Sequence, residues 1–267
     1  MLKIWILIND KAKAGFESEH GFSALIEFRD KKIIFDTGQS DVFLKNARKL
    51  GLDLRNIDAV VISHGHYDHG NGLESLLRET GPKRIFIGNG FFNHKYGGGK
   101  YIGLEHTIDY YEKLGGKFQT IEKDSEIFDG IQLLTAVPMI SFEQPEEKFK
   151  VEDESKKLKR DFFEEELYLS LESPEGTIII TGCSHRGIIN IMSRLPKDKK
   201  IKAVVGGFHL IKKTDEELYK IAESLKAFKL ESLYPCHCTG DKAIKILKEI
   251  FNSQVNECLS GGFIEIR

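Results

Sequence analysis

Short apolar runs, most of them bounded by glycine, recur along the whole chain and are separated by a few helical patterns. Runs of about four to eight residues rich in β-branched and aromatic side chains predict strands. The pattern predicts strands at residues 2–8, 22–28, 31–36, 58–63, 84–88, 117–121, 131–137, 166–172, 177–181, 202–206, 231–235 and 262–266. Three of these runs are apolar without alternation, which is typical of strands buried on both faces, so helices should cover the sheets.

Three segments instead carry apolar residues at helical spacing. Ser40 is a candidate N-cap for the first helix, and Gly51 stands where a left-handed residue beyond its end belongs. Thr214 and Glu217 have the capping-box spacing at the start of a second helix, and residues 241–251 predict a third. Strands with helices outside them predict an α/β protein of four layers in the order helix, sheet, sheet, helix.

A chain of 267 residues is long for one domain and short for two separate ones, so we expect a single domain over residues 1–267. One stretch, around residues 143–166, departs from the alternation of strands and helices. Most of its residues are charged, and Pro145 lies near its start. Its composition favours a solvated loop or an exposed helix, with a lid-like insertion as the alternative.

Composition changes the picture mainly by exclusion. The chain has 39 basic and 41 acidic residues, so its net charge of −2 gives no basic surface for nucleic acid or an anionic membrane. No apolar run approaches the ~20 residues of a membrane helix, and the run at 2–8 lacks a signal-peptide cleavage pattern. Four cysteines are too few for a secreted disulfide framework. We therefore expect a cytoplasmic protein with a small-molecule partner and no membrane or nucleic-acid partner, and the composition leaves its oligomeric state open.

The loop after the strand at 58–63 concentrates side chains that bind metal ions. His64, His66, Asp68 and His69 fall within six residues, and glycines keep the loop open. A histidine in a protein core is usually solitary. Two histidines two residues apart can instead hold one metal ion, while Asp68 and His69 point toward a second. The sequence therefore predicts a metal site in this loop.

These residues resemble the HxHxDH signature of the metallo-β-lactamase fold superfamily, and Asp36-Thr37-Gly38 upstream is similar to the strand-end Asp-x-Gly of the same superfamily. The resemblance implies a four-layer αββα metallo-β-lactamase-like sandwich. It also implies that Asp36 lies behind the metal ligands and orients their loop, as carboxylates bonded to metal-binding histidines do.

The superfamily also has ligands near its last strands, and this chain offers four candidates there. His185, His209 and His237 each follow an apolar strand and lie near glycine, and Cys183 stands where other members have a bridging aspartate. His185 and His237 lie in turn-forming contexts, so we expect both to bind metal, with Cys183 as a further candidate ligand. His209 is a candidate for either a metal ligand or a substrate contact, and the Lys212-Lys213 pair that follows it suits a catalytic residue that faces an anionic substrate.

Several further motifs, among them His20-Gly21-Phe22-Ser23, resemble one subgroup of the superfamily over most of the chain. Its members are 7,8-dihydropterin-6-yl-methyl-4-(β-D-ribofuranosyl)aminobenzene 5′-phosphate synthases and proteins described as metal-dependent hydrolases. The resemblance implies two divalent ions, with zinc expected first and manganese or iron as alternatives. One ion would be held by His64, His66 and His185, and the other by Asp68, His69 and His237, with Asp68 also accepting a proton.

The expected activity is hydrolysis by an activated water or a transfer in which an arylamine displaces pyrophosphate, since both need the same electrophilic clamp. A di-iron redox protein and a non-catalytic metal-binding sensor of the same fold are the alternatives. His94 and His106 lack the strand-end context of the ligands, and we expect ordinary surface or packing roles for them. Cys236 and Cys238 are expected to be buried thiols next to a ligand.

Overall fold

The computed structural model describes residues 1–153, 155–196 and 198–266. Its strands are β1 (Leu2–Ile8), β2 (Ser23–Phe28), β3 (Lys31–Phe35), β4 (Ala59–Val61), β5 (Lys83–Gly88), β6 (Lys95–Gly97), β7 (Lys100–Tyr101), β8 (Gly116–Ile121), β9 (Ser125–Phe128), β10 (Ile131–Leu134), β11 (Phe149–Glu152), β12 (Leu158–Arg160), β13 (Tyr168–Ser173), β14 (Gly176–Thr181), β15 (Lys200–Gly207), β16 (Lys229–Leu230), β17 (Leu233–Cys236) and β18 (Gly262–Ile266). Its α-helices are α1 (Val42–Lys49), α2 (Tyr67–Gly70), α3 (Leu73–Thr80), α4 (Ile108–Lys113), α5 (Ile188–Ser193), α6 (Asp215–Leu225) and α7 (Asp241–Phe251), and short 3-10 helices cover His237–Thr239 and Asn252–Gln254. Every strand expected from the sequence is present, with ends shifted by three residues or fewer.

Two seven-stranded sheets form the body of the fold. The first has the strand order β18-β1-β2-β3-β4-β5-β8, and the second has β16-β15-β14-β13-β10-β9 with β17 also paired to β15. The run from β3 through β4 and β5 to β8 is parallel, and so are the pairs that β15 makes with β14 and β17. Parallel neighbours have their carboxyl ends at the same edge of a sheet, so the loops that follow them can build one site there.

Apolar side chains fill the space between the layers. Between the sheets, Ile4 and Phe35 of the first sheet belong to one cluster with Leu169 and Ile180 of the second. Each fully buried side chain of this kind contributes about 1.5–3 kcal/mol through removal of its apolar surface from water. Helices α1, α3 and α4 cover the outer face of the first sheet, and α5, α6 and α7 cover that of the second. This is the four-layer helix, sheet, sheet, helix architecture expected from the sequence.

Two of the three predicted helix starts agree with the structure. The Thr214 hydroxyl accepts from the Glu217 amide, and the Glu217 carboxylate accepts from the Thr214 amide, so the capping box of α6 is confirmed. Helix α7 has the predicted bounds. The N-cap of α1 is Asp41, one residue after the predicted Ser40, but the Ser40 hydroxyl accepts a hydrogen bond of 3.2 Å from the amide of Val42, the first helical residue. The Glu19 carboxylate binds the amide and hydroxyl of Ser40, and the helical turn starts one residue later. Within the described ranges, the helices lack the combination of length and apolar character that crossing a membrane requires.

A third sheet of four short strands, in the order β12-β11-β6-β7, was not expected from the sequence. Two of its strands lie within residues 143–166, so the interpretation of this segment as a solvated loop or an exposed helix is wrong. Four carboxylates of the segment are buried and bonded to buried partners, and these contacts attach the segment to the rest of the fold. The four residues are Glu143, Asp161, Glu165 and Glu166. A lid-like movement of the segment stays a prediction.

Glu143 is the first residue of this segment, and its carboxylate caps the N-terminal end of α5. Its Oε2 accepts a hydrogen bond of 2.6 Å from the Ile189 amide, and burial raises its pKa from 4.5 to about 7. Because the folded-state pKa lies above the unfolded value, the folded state loses stability as the pH rises from about 4.5 through 7. Glu143→Gln keeps an acceptor oxygen without the charge. We expect this variant to gain up to about 3 kcal/mol relative to the unchanged protein between about pH 5 and pH 8, as measured by urea unfolding. A stability difference that is the same at both pH values would contradict this expectation.

Candidate metal centre

The loops that carry the predicted ligands follow the carboxyl ends of strands from both sheets, at the same edge of the sandwich. The loop with His64, His66 and His69 follows β4, His185 follows β14, and His237 follows β17. The carboxyl ends of β4 in one sheet and of β14 and β17 in the other therefore bring the imidazoles together, as is usual for ligand sites of open α/β sheets. All of these histidines are buried.

The backbone of these loops is strained. Asp36, Ser184, His209 and His237 adopt left-handed conformations, with φ of 58°, 62°, 51° and 47°. A non-glycine residue pays on the order of 1–3 kcal/mol for such a conformation, and residues of this kind cluster at functional sites. These four residues lie in the loops after β3, β14, β15 and β17, at one edge of the sandwich, and they indicate a functional site there.

Three imidazoles form the first set of donor atoms. His64 Nε2 lies 3.0 Å from His66 Nδ1 and 3.3 Å from His185 Nε2. A tetrahedral zinc ion with bonds of about 2.0–2.1 Å to nitrogen separates its ligand atoms by about 3.3–3.4 Å. The two separations from His64 Nε2 are therefore close to those between ligands of a single divalent ion.

One carboxylate and two imidazoles form the second set. Asp68 Oδ2 lies 3.4 Å from His237 Nε2 and 3.6 Å from His69 Nε2, and the two nitrogens are 3.3 Å apart. These separations also match those expected around a tetrahedral ion. The two sets together contain the six residues that the sequence analysis assigned to metal, in the same two groups.

Cys183 lies between the two sets. Its Sγ is 3.3 Å from His69 Nε2. The sulfur is also within 4.8 Å of donor atoms of His64 and His185 on one side and of His69 and His237 on the other. Cys183 therefore lies between the two sets, where the resemblance implied a bridging aspartate in other members of the superfamily, and its role as a ligand stays a prediction.

Polar groups behind the histidines fix which ring nitrogen enters the centre. Asp36 lies where the resemblance placed it, with Oδ2 2.7 Å from His69 Nδ1 and both oxygens accepting hydrogen bonds from Ser63. The hydroxyl of Ser63 lies 2.9 Å from His64 Nδ1, and Asp10 Oδ1 lies 2.7 Å from His237 Nδ1. In each case Nε2 is left for the centre, which is the usual arrangement behind metal-binding histidines.

Two residues of the site were missed by the sequence analysis. Asp10 binds His237 as Asp36 binds His69, and it also lies 3.1 Å from His20 Nδ1. His20 Nε2 is 3.4 Å from Asp68 Oδ2, and its side chain is 54% exposed, so it stands on the open side of the centre. A Cβ on Gly21 would lie 2.3 Å from the Asp68 carbonyl oxygen, so glycine is needed for this approach. The polar pair after the apolar run of β1 and the His-Gly motif were the available signals.

The electrostatics of the first set and of Asp68 suit metal binding. Burial would lower the pKa of His237, but Cys238, Asp10 and Asp68 outweigh it and hold that pKa well above the ordinary range. Burial, reinforced by neighbouring imidazoles, holds the pKa values of His64 and His185 well below the ordinary range, and burial does the same for His66. Burial would raise the pKa of Asp68, but the imidazoles of His69 and His237 outweigh it and hold the pKa well below its usual range. Neutral imidazoles and an ionised carboxylate are the forms that bind divalent ions. Buried neutral nitrogens that point at one another at 3.0–3.3 Å are best satisfied by a shared cation.

Two phenylalanines from the charged segment cover the first set. The Phe163 ring stacks on His185 with centroids 3.9 Å apart, and the Phe149 ring lies 5.6 Å from that of His66. Both rings are buried, so they exclude water from this side of the centre. The open side is therefore that of Asp68 and His20.

His209 lies beside the first set, with its ring centroid 4.2 Å from that of His185. Its Nε2 is 2.9 Å from Glu146 Oε1, and only 14% of its side chain is exposed. The catalytic role expected for it stays a prediction. His94 and His106 lie outside the centre, where they pair with Glu152 and Glu74.

Comparisons with known proteins show relatives of this chain over most of its length. The sequence profile of the metallo-beta-lactamase superfamily matches residues 19–237. A protein of Methanocaldococcus jannaschii named Uncharacterized protein MJ0448 is 35% identical over 250 residues, which are 93% of this chain and 95% of that protein. A second protein of the same organism is 30% identical over 283 aligned residues, which cover 99% of this chain and 96% of that protein. It is named 7,8-dihydropterin-6-methyl-4-(beta-D-ribofuranosyl)-aminobenzene-5'-phosphate synthase.

A crystal structure shows the same likeness in three dimensions. Tm1679, described as a metal-dependent hydrolase of the beta-lactamase superfamily, superposes on this chain with a TM-score of 0.90 at 40% identity. The match covers 100% of this chain and 99% of that one. The profile spans all six residues of the two donor sets, and the superposition covers the whole chain. The chain belongs to the metallo-beta-lactamase superfamily.

Proposed function

We propose that this chain is a dinuclear-metal enzyme that hydrolyses a small anionic substrate. The observation that carries the proposal is the pair of adjoining three-atom donor sets with the spacing of a tetrahedral ion's ligands. His64, His66 and His185 would hold one divalent ion, and Asp68, His69 and His237 the other. Nitrogen and oxygen donors at this spacing favour zinc, with manganese or iron as alternatives.

Two divalent ions in these sets would polarise the oxygens of a reacting phosphate or carbonyl group and activate water. The chain's own residues would accept the proton and exclude water. Asp68 stays ionised and is positioned to accept a proton on the open side, next to His20. Phe149 and Phe163 exclude water from the closed side, which strengthens the electrostatic interactions within the centre.

A second candidate is a transferase in which an arylamine displaces pyrophosphate from a pterin methylene group. The observation in its favour is the 30% identity, over nearly the full length, to a protein named as the dihydropterin synthase. Hydrolysis is placed first because the structure at 40% identity is described as that of a metal-dependent hydrolase. Both reactions use the same donor sets and differ in the nucleophile that reaches the substrate.

The test begins with metal analysis of protein purified without added metal. A screen of phosphodiester, lactone, thioester and pterin-pyrophosphate substrates follows, the last with and without an arylamine. Turnover in water alone supports the hydrolase, and turnover that requires the arylamine supports the transferase. A coloured, iron-containing protein without hydrolysis would instead favour the di-iron redox alternative. Bound metal without any turnover would favour the sensor.

The ligand assignment is tested by His185→Ala and His237→Ala. Each variant removes one imidazole from a different set, so each should lose about one divalent ion per chain. The matched control is His94→Ala, which removes an imidazole outside the centre. Elemental analysis after equilibrium dialysis measures the result. Full metal content in both ligand variants would show that the ions bind elsewhere.

Asp36→Ala should weaken metal binding without removing a ligand. The Asp36 carboxylate fixes the His69 ring and the Ser63 backbone, so we expect a loss of about 10 to 100-fold in metal affinity. Competition with a chromogenic chelator measures the affinity. Asp58→Ala is the control, because Asp58 lies just before β4 and is exposed, with no contact to a ligand. Equal affinities in the two variants would contradict the role of Asp36.

A further inference from the structure

A third group of metal-binding side chains lies next to the two sets already described. Donor atoms of Cys183, His209 and Cys238 all lie within 4.8 Å of one another. Cys183 and Cys238 are 3% and 6% exposed, so both thiols are out of reach of bulk solvent. Cys238 is buried next to the predicted ligand His237, as the sequence predicts. Its sulfur also lies in a cluster with a second thiol and an imidazole.

The hydrogen bonds of His209 follow the pattern of the other histidines of the centre. Glu146 Oε1 holds His209 Nε2 at 2.9 Å, in the way that Asp36 and Asp10 hold the rings of His69 and His237. His209 Nδ1 is fully buried and makes no hydrogen bond within the described structure. A carboxylate on one ring nitrogen and a free second nitrogen are typical of a metal-binding histidine.

The backbone at Gly207 passes close to the Cys238 sulfur and leaves no space for a side chain there. A Cβ on Gly207 would lie 2.6 Å from Cys238 Sγ and 2.5 Å from the Gly182 carbonyl oxygen. A side chain at position 207 would therefore push Cys238 away from Cys183. Glycine at the end of β15 allows the two sulfurs to approach each other.

We propose that Cys183, Cys238 and His209 form a third metal site that binds a thiophilic divalent ion, with zinc as the ion that its donors select. Two thiolates and one imidazole are a common zinc-binding combination, and they leave one position open. Thiolates disfavour magnesium, calcium and manganese. Cys183 lies between the two sets described above and is also a member of this third group, so its thiolate would connect this ion to the dinuclear centre. For His209, this assignment favours the metal-ligand alternative from the sequence over the direct substrate contact.

Cobalt substitution tests the site without reference to activity. The protein is stripped of metal with a chelator and reconstituted with Co²⁺, which gives a sulfur-to-metal charge-transfer band in the near ultraviolet when thiolates bind it. We expect Cys238→Ser and His209→Ala each to lose about one Co²⁺ per chain, and the band to weaken most in the cysteine variant. Cys236→Ser is the matched control, since Cys236 is an equally buried thiol two residues away and lies outside the cluster.

The outcomes separate this site from the dinuclear centre. Asp68→Ala should lose an ion and keep the part of the band that depends on Cys238. Unchanged Co²⁺ content and an unchanged band in both Cys238→Ser and His209→Ala would overturn the proposal. If the circular dichroism of Cys238→Ser shows that it does not fold, Glu146→Gln takes its place, with an expected loss of about 10 to 100-fold in affinity for one ion. Equal affinity for all ions in Glu146→Gln and the unchanged protein would then overturn it.

Discussion

Replacing Asp68 by alanine is expected to remove one divalent ion and most of the activity while the fold stays intact. Asp68 is the only carboxylate of the two described donor sets, and its Oδ2 lies within 3.6 Å of both histidines of its set. Two imidazoles alone hold a divalent ion far more weakly. The loss of metal affinity should therefore exceed the roughly 100-fold upper range for a residue that only orients a ligand.

The control for Asp68→Ala is Asp109→Ala, which removes an exposed carboxylate from α4. Metal content by elemental analysis, turnover of whichever substrate the screen identifies, and circular dichroism are measured on both variants. The Asp109 variant should match the unchanged protein in all three measurements. Retention of two ions and full turnover in the Asp68 variant would refute the ligand assignment and the role of Asp68 as proton acceptor.

The layered architecture could be predicted from the sequence because it depends on local patterns. The apolar runs in β4, β14 and β15 are long enough to mark strands buried on both faces, and the structure covers both sheets with helices. The capping box of α6 is likewise a property of four consecutive residues. The motif from His64 to His69 is compact enough to be recognised in a single sequence, and the family resemblance that it carries implied the two groups of ligands.

The small sheet could not be predicted, since its strands are short and half of their residues are charged. β12 has three residues and β7 has two, and both are exposed. β7 pairs with β6 and β12 pairs with β11 in short hairpins, and only the pairing of β11 with β6, which are far apart in the sequence, joins the two hairpins into one sheet. The charged composition indicated solvent, whereas the structure pairs the charges with one another and with backbone amides.

Asp10 and His20 could not be assigned to the site from the sequence, because their contacts also join distant parts of the chain. Asp10 lies 227 positions from His237 in the sequence, and nothing near either residue indicates their contact. His20 belonged to a motif that carried the resemblance, but its role depends on Asp10 and on the loop of Asp68. Contacts of this kind arise from the folded topology. A single sequence gives the candidate residues and leaves their partners open.

Lys95→Met is expected to destabilise the protein more than any other single replacement in the small sheet. Lys95 is 1% exposed, and its Nζ lies 2.9 Å from Asp161 Oδ2 and 2.6 Å from Glu165 Oε1. Burial alone would lower the pKa of Lys95, but the two carboxylates outweigh it and keep the lysine charged. The methionine side chain fills a similar volume without the charge, which leaves two carboxylates buried side by side. Removal of one partner from a buried ionic cluster costs about 3–5 kcal/mol.

The expected loss from Lys95→Met corresponds to a melting temperature about 10 °C lower, measured by circular dichroism. Lys100→Met, an exposed lysine on the neighbouring strand, should melt with the unchanged protein. Adding Asp161→Asn and Glu165→Gln to Lys95→Met neutralises the stranded charges, so the triple variant should recover part of the loss. Because Asp161 and Glu165 flank Phe163, which stacks on His185, Lys95→Met should also weaken metal binding. A Lys95 variant that melts with the Lys100 control would show that this cluster does not anchor the segment over the metal centre.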